Sequence, residues 1–136
     1  MLSQYMLRFS VVLLLAGVLM GIGMGISQNF ALVGAHAHLN LVGFVVPFLT
    51  GLYYQASPAA AATRLARFQA AAATLGAVAF PAAIAAVGLG GKQFVPFAVV
   101  GAMVFLSSVV MLALLVFRHG LPAGRLYGAL AEGLKR

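Results

Sequence analysis

Four apolar runs without Asp, Glu, Lys or Arg dominate the chain, and they cover residues 9–26, 30–54, 68–89 and 94–117. A helix needs roughly 20 apolar residues to cross a hydrocarbon core about 30 Å thick, and each run is close to that length. No segment alternates apolar and polar residues as the strands of a membrane barrel do. The pattern therefore predicts an all-α integral membrane protein with four transmembrane helices in one domain, residues 1–136.

Helix breakers and polar residues separate the runs at 27–29, 57–58, 90–92 and 120–122. The first run is longer than the apolar core of a cleavable signal peptide, so we interpret it as a membrane helix. Within it, Gly17, Gly21 and Gly25 recur every four residues, a spacing that favours close packing against a second helix. We expect Tyr53 and Tyr54, at the end of the second run, to belong to the aromatic belt at the membrane surface.

Composition agrees with this interpretation, because 64% of the residues are apolar and only 7% are charged. The mean hydropathy is +1.11, far above that of a soluble globular domain. The chain has no cysteine, which excludes disulfides, thiolate metal sites and covalent c-type heme attachment.

The basic residues predict the orientation of the helices. With a cytoplasmic N-terminus, the cytoplasmic side would hold Arg8, Arg64, Arg67, Arg118, Arg125, Lys135 and Arg136. Only Lys92 would lie outside, so the positive-inside rule predicts a multi-pass protein of a bacterial-type inner membrane with both termini cytoplasmic. Residues 121–136 form a basic tail, in which Leu126, Leu130 and Leu134 predict a short amphipathic helix on the inner leaflet. The basic residues are dispersed, so we expect no nucleic-acid partner.

The candidate chemistry lies in residues 33–44, VGAHAHLNLVGF, where His36 and His38 interrupt the second apolar run. Ionisable residues inside a membrane span are costly and are typically functional. Successive helical residues are rotated by about 100°, so the two rings point roughly 200° apart and cannot hold one metal ion together. Either each imidazole serves a separate site, or each hydrogen-bonds Asn40 or a carbonyl of a neighbouring helix.

The string AHAHLNLVGF, residues 35–44, resembles the H-x-H-x-x-x-x-G-W segment in the catalytic subunit of the heme-copper oxidases and nitric oxide reductases. In one alignment the resemblance implies that His36 binds a high-spin heme and His38 a low-spin heme, with Gly43 and Phe44 at the glycine and tryptophan positions. The chain also resembles the family's A-H-A pattern on another helix. That alignment makes His36 the low-spin heme ligand and places Pro47 and Gly51 at the later positions.

The catalytic subunit of that family consists of three pseudo-symmetric arcs of four helices, and this chain resembles one arc. The resemblance therefore implies a homotrimer. Glu132 is the only acidic residue and lies beyond the last run, so no span carries a carboxylate of the kind that proton pumps use. One copy also offers no separate set of histidines for the copper of that family, so we expect neither oxygen reduction nor proton pumping, and whether the protein is an enzyme stays open.

Heme iron takes one or two axial imidazoles, and the macrocycle fits an apolar slot. We therefore predict that His36 and His38 bind heme b, with Asn40 and Phe44 beside them, and that histidines from two subunits share a heme. Phe30, Phe44 and Phe48 are candidate walls of the slot. The polar candidates for the heme propionates are Gln28, Asn29, Lys92 and Gln93. Electron transfer, or redox and gas sensing, is the expected function, and the sequence does not identify the redox partner.

Two alternatives stay open. Met20 and Met24 lie one helical turn apart and offer soft thioethers that suit Cu(I), so the histidines and methionines predict copper binding or transport as the first alternative. Methionine at this spacing is also common packing filler. The second alternative is a structural or assembly subunit without a cofactor, whose histidines only connect helices.

Overall fold

The computed structural model describes residues 1–120 and Gly133, and these residues contain four long helices. We label them α1 (Leu2–Ser27), α2 (Val33–Ala56), α3 (Arg64–Gly88) and α4 (Lys92–His119). Each is long and apolar enough to cross a membrane, which confirms the predicted all-α architecture with four helices of spanning length. The predicted amphipathic helix with Leu126, Leu130 and Leu134 lies outside the described residues.

Each helix packs mainly on its neighbours in the chain, α1 on α2, α2 on α3 and α3 on α4. The connections are short, and the one between α2 and α3 contains a single helical turn, Pro58–Ala61. At the other junctions, Gln28 ends α1 in the left-handed conformation, with φ 53°, and Gly90 adopts φ 97° before α4. Short connections of this kind place consecutive helices side by side, and a buried cluster that contains Met6, Tyr54, Ala70 and Leu115 joins all four helices in one bundle.

The α3–α4 contact depends on two glycines whose missing side chains let the backbones approach. A Cβ at Gly76 would lie 2.8 Å from the Phe105 Cα, and a Cβ at Gly101 would lie 2.9 Å from the Phe80 Cα. Both distances are far shorter than a van der Waals contact. The clash could not be relieved by a side-chain rotation, because the atoms met belong to the backbone. Small residues at such crossings are typical of packing between membrane helices, where close contact replaces the hydrophobic driving force.

A buried cluster joins the end of α2 to α3 and α4. Tyr53 and Tyr54 are only 8% and 2% exposed, so the prediction that they form an aromatic belt at the membrane surface was wrong. Tyr53 donates its hydroxyl hydrogen bond to the Leu115 carbonyl of α4 at 3.0 Å, and Tyr54 donates to Gln69 Oε1 of α3 at 2.8 Å. The hydroxyls find partners inside the bundle, which removes the cost of burying them.

Helix α2 is not uniform, and this irregularity positions the candidate site. It begins as an α-helix over Val33–His38, becomes a π-helix over Leu39–Val45, and returns to an α-helix over Val46–Ala56. The Val46 N–H donates to the Leu41 carbonyl, five residues back instead of four. Wide turns of this type are rare and are frequently found at functional sites.

Candidate functional site

His36 lies on the α-helical first part of α2 and faces α1. Its Nδ1 is 2.9 Å from the Gly17 carbonyl oxygen of α1, so the ring joins the two helices directly. The ring fits because α1 has no side chain at Gly21, where a Cβ would lie 2.8 Å from His36 Cε1. The predicted glycine seam is thus correct for Gly17 and Gly21, but Gly25 has no atom within 4 Å of its Cβ position and lies outside the contact.

His38 faces the opposite neighbour, α3. Its ring centroid is 4.7 Å from that of Phe80 and the planes meet at 70°, an edge-to-face contact. Its Nδ1 is 2.8 Å from the Gly34 carbonyl oxygen, one turn back on the same helix. The two rings therefore contact different helices, as the 200° rotation between them predicts.

The hydrogen bonds of both rings decide which nitrogen is available for a metal. A carbonyl oxygen can only accept, so Nδ1 of each neutral imidazole carries the proton and Nε2 keeps its lone pair. An Nδ1–H bonded to a backbone carbonyl is the usual arrangement of a metal-binding histidine, because it fixes the ring and raises the basicity of Nε2. Nε2 is thus the nitrogen through which His36 and His38 could each bind a metal ion.

The two Nε2 atoms differ in their surroundings. His36 Nε2 is 3.4 Å from Asn40 Nδ2, a long contact with a group that can donate to it. His38 Nε2 has no hydrogen-bond partner among the described residues, and the His38 side chain is only half-buried. His38 is therefore the more accessible ligand of the two.

Asn40 connects the histidines to the irregular part of α2. Its Nδ2 donates to the His36 carbonyl oxygen at 2.9 Å, the acceptor that a regular α-helix assigns to the Asn40 N–H. The Asn40 amide lies over Gly17, where a Cβ would be 2.7 Å from Oδ1. Downstream, Pro47 has no N–H to offer the Gly43 carbonyl, which also weakens the regular ladder. The π-helix, Leu39–Val45, contains Asn40 and ends two residues before Pro47.

Phe80 is a site residue that the sequence did not single out. Together with Ile84 of α3 and Val99 and Ala102 of α4, it lines an apolar groove of about 230 Å³. Phe80 also contacts His38 of α2, while the groove itself is lined by residues of α3 and α4. Phe80 is one of 10 phenylalanines in the chain and no local motif marks it.

The remaining predicted site residues have other contacts. Phe44 packs on Phe48 with ring centroids 5.3 Å apart and both rings half-buried, and no aromatic contact with His36 or His38 involves it.

The predicted propionate partners fall into two groups. Gln28 Nε2 donates to the Gly25 carbonyl at 2.6 Å, and Asn29 Oδ1 accepts from the Ala31 N–H at 3.0 Å. These two residues complete the turn after α1. Lys92 and Gln93, in the first turn of α4, are exposed.

The methionines of the copper alternative lie on α1. Met24 is buried, at 7% exposure, and is seven residues from Gly17, so it shares the α1 face that receives His36. Met20 is half-buried. In the part of the chain that the structure describes, no group of three or more His, Cys, Asp or Glu side chains lies close enough to hold a metal ion. The copper site stays a prediction.

Comparisons with protein-family models, with curated proteins and with solved structures gave no match for this chain. The resemblance to the heme-copper oxidases and nitric oxide reductases therefore rests on residues 35–44 and on the later Pro47 and Gly51.

Proposed function

We propose that this chain is a membrane protein that binds b-type heme, with His38 Nε2 as an axial ligand of the iron. The observation that carries the proposal is the state of the His38 ring. Its Nδ1 bonds the Gly34 carbonyl at 2.8 Å, its Nε2 has no partner among the described residues, and its ring meets that of Phe80, a residue that also lines the apolar groove, edge to face. Heme ligation needs these three features together: a fixed ring, a free lone pair and an apolar wall.

Heme also suits the small number of ligands in one chain. A porphyrin supplies four nitrogens to the iron, so the protein adds only one or two, whereas an isolated zinc or copper ion needs several side chains. Bound heme would supply a one-electron iron couple, which makes electron transfer the leading activity, with redox or gas sensing next to it.

A second copy of the chain completes the proposed site. The groove beside Phe80 holds about 230 Å³, less than the roughly 300–1,000 Å³ of pockets that enclose a molecule of moderate size. A macrocycle seated at His38 therefore needs a further wall, which an adjacent subunit provides. A trimer is favoured because the chain resembles one of three arcs.

A structural role is the second candidate, and His36 is the residue that favours it. The 2.9 Å contact between His36 Nδ1 and the Gly17 carbonyl joins α2 to α1, and Asn40 lies beside His36 Nε2. His36 accordingly acts first as a positioning residue for α2, and its predicted role as a second heme ligand stays a prediction. If both histidines only connect helices, the protein is an assembly subunit without a cofactor.

The test is the amount of heme per chain after purification in mild detergent, measured as the pyridine hemochrome. We expect a Soret band in the wild-type protein, its loss in His38→Ala, and its retention in His119→Ala, which removes an exposed histidine at the end of α4. His36→Ala should lower thermal stability whether or not it retains heme. A colourless wild-type protein after incubation with hemin would refute the proposal. Bound copper without a Soret band would favour the methionine site, and neither cofactor would favour the structural role.

A further inference from the structure

The sequence of this chain offers its cations a single acidic side chain. The sequence contains eight Lys and Arg residues against a single acidic residue, Glu132, which lies outside the described residues. Arg8 is the cation for which this imbalance matters most, because it projects from α1 next to an apolar surface. A second copy of the chain brings the same composition and offers only its own Glu132. The anion that pairs with Arg8 must therefore come mainly from another kind of molecule.

Arg8 lines a groove of about 500 Å³ along one face of α1. The groove is polar towards the start of the helix and apolar further along. Its lining residues are Met1, Gln4, Tyr5, Arg8, Phe9 and Val12. These positions recur at three- and four-residue intervals, so they form one continuous stripe.

Two contacts hold the aromatic wall of this groove in place. The Tyr5 hydroxyl lies 3.0 Å from Thr74 Oγ1 of α3, so the Tyr5 ring is anchored to a second helix. The Phe9 ring stacks on Tyr5 with centroids 6.1 Å apart and planes at 13°. The wall beside Arg8 is thus formed before any ligand binds, which lowers the entropy cost of binding.

The position of Arg8 along α1 also indicates which kind of ligand can reach it. The helix has 26 residues and is therefore about 39 Å long at about 1.5 Å per residue, against a hydrocarbon core of about 30 Å. The charge-free run begins at Phe9, directly after Arg8. If the charge-free run fills the hydrocarbon core, Arg8 falls at the boundary with the headgroups, the level of the lipid phosphates.

We propose that this groove is a binding site for an anionic phospholipid. The Arg8 guanidinium binds the phosphate through paired N–H donors, a geometry that suits arginine, and Gln4 offers an amide donor one turn earlier. One acyl chain lies along Phe9 and Val12. The net negative headgroup, which a zwitterionic lipid lacks, balances the arginine charge.

Native mass spectrometry of the full chain in detergent tests this site, with phosphatidylglycerol and phosphatidylcholine of identical acyl chains as probes. We expect the wild-type protein to retain phosphatidylglycerol in preference to phosphatidylcholine. Arg8→Gln should reduce that preference about fivefold, the scale of one basic residue near an anionic surface. Arg118→Gln, which removes an exposed arginine at the end of α4, is the control and should keep the preference.

Val12→Trp separates a defined groove from general attraction between charges, because it keeps Arg8 and fills the apolar part. Val12 is 61% exposed, so the larger side chain is tolerated by the fold. We expect Val12→Trp to lose the preference as Arg8→Gln does. Equal lipid retention by Arg8→Gln and Arg118→Gln would overturn the proposal, and so would loss in Arg8→Gln with full retention in Val12→Trp.

Discussion

Adding one methyl group at Gly21 should weaken the contact between α1 and α2 that holds His36. The new Cβ would lie 2.8 Å from His36 Cε1, 3.4 Å from Nδ1 and 3.6 Å from Nε2. The ring must therefore shift, and the 2.9 Å hydrogen bond from its Nδ1 to the Gly17 carbonyl is strained or lost. Gly23→Ala is the matched control, since no atom lies within 4 Å of the Cβ position at Gly23 on the same helix.

The expected change in the free energy of unfolding is the sum of two costs and one gain. Overpacking a close contact costs about 1–3 kcal/mol. The lost interhelical hydrogen bond adds about 0.6 kcal/mol, the average measured between membrane helices. Replacing glycine by alanine inside a helix returns about 0.5–1 kcal/mol. Gly21→Ala should thus destabilise the protein by about 1–3 kcal/mol, whereas Gly23→Ala should stabilise it by up to about 1 kcal/mol.

Thermal unfolding in detergent, followed by far-ultraviolet circular dichroism, ranks the wild-type protein, Gly21→Ala and Gly23→Ala by melting temperature. We expect Gly23→Ala to melt at or above the wild-type temperature and Gly21→Ala several degrees below it. If Gly21→Ala melts as high as Gly23→Ala, the His36 ring does not occupy the space above Gly21 and the packing of α1 on α2 described above is wrong.

Three further variants test other contacts. Gly101→Ala should lower the melting temperature more than Gly25→Ala. A Cβ at Gly101 would lie 2.9 Å from the Phe80 backbone, whereas no atom lies within 4 Å of the Cβ position at Gly25. Equal melting temperatures would contradict the close α3–α4 crossing. Tyr54→Phe should lower the free energy of unfolding by about 1–3 kcal/mol, because it leaves the buried Gln69 amide without a partner. The double variant with Gln69→Leu should recover most of this loss, and no recovery would argue against the hydrogen bond between Tyr54 and Gln69. Asn40→Leu should leave the helix content nearly unchanged but destabilise the π-helix, so amide hydrogen exchange should become faster over residues 39–45. Unchanged exchange would show that the Asn40 side chain does not maintain the π-helix.

The lengths of the four helices follow from the sequence because hydrocarbon thickness imposes them. A charge-free run of this length has few other stable arrangements, since unpaired backbone groups are costly in lipid. The opposite directions of His36 and His38 follow equally from helical rotation. These predictions depend on local geometry, which the residues themselves determine.

The partners of the histidines could not be predicted, because they depend on how the helices come together. Nothing near Phe80 distinguishes it from the other phenylalanines, and its contact with His38 arises only when α3 packs on α2. The π-helix is similarly hidden, since neither the bond from the Asn40 amide to the His36 carbonyl nor Pro47 marks its bounds in the sequence. Tyr53 and Tyr54 resemble a surface belt in sequence, yet Gln69 and Leu115 from later helices supply the bonds that bury them.

The most direct test of the proposed iron ligand is chemical rescue. His38→Gly removes the imidazole and leaves space for a free one, so heme retention is measured by absorbance with and without added imidazole. The proposal predicts that this variant loses the Soret band of the wild-type protein and regains it when imidazole and hemin are supplied. Full heme retention by His38→Gly without imidazole would show that His38 does not ligate the iron.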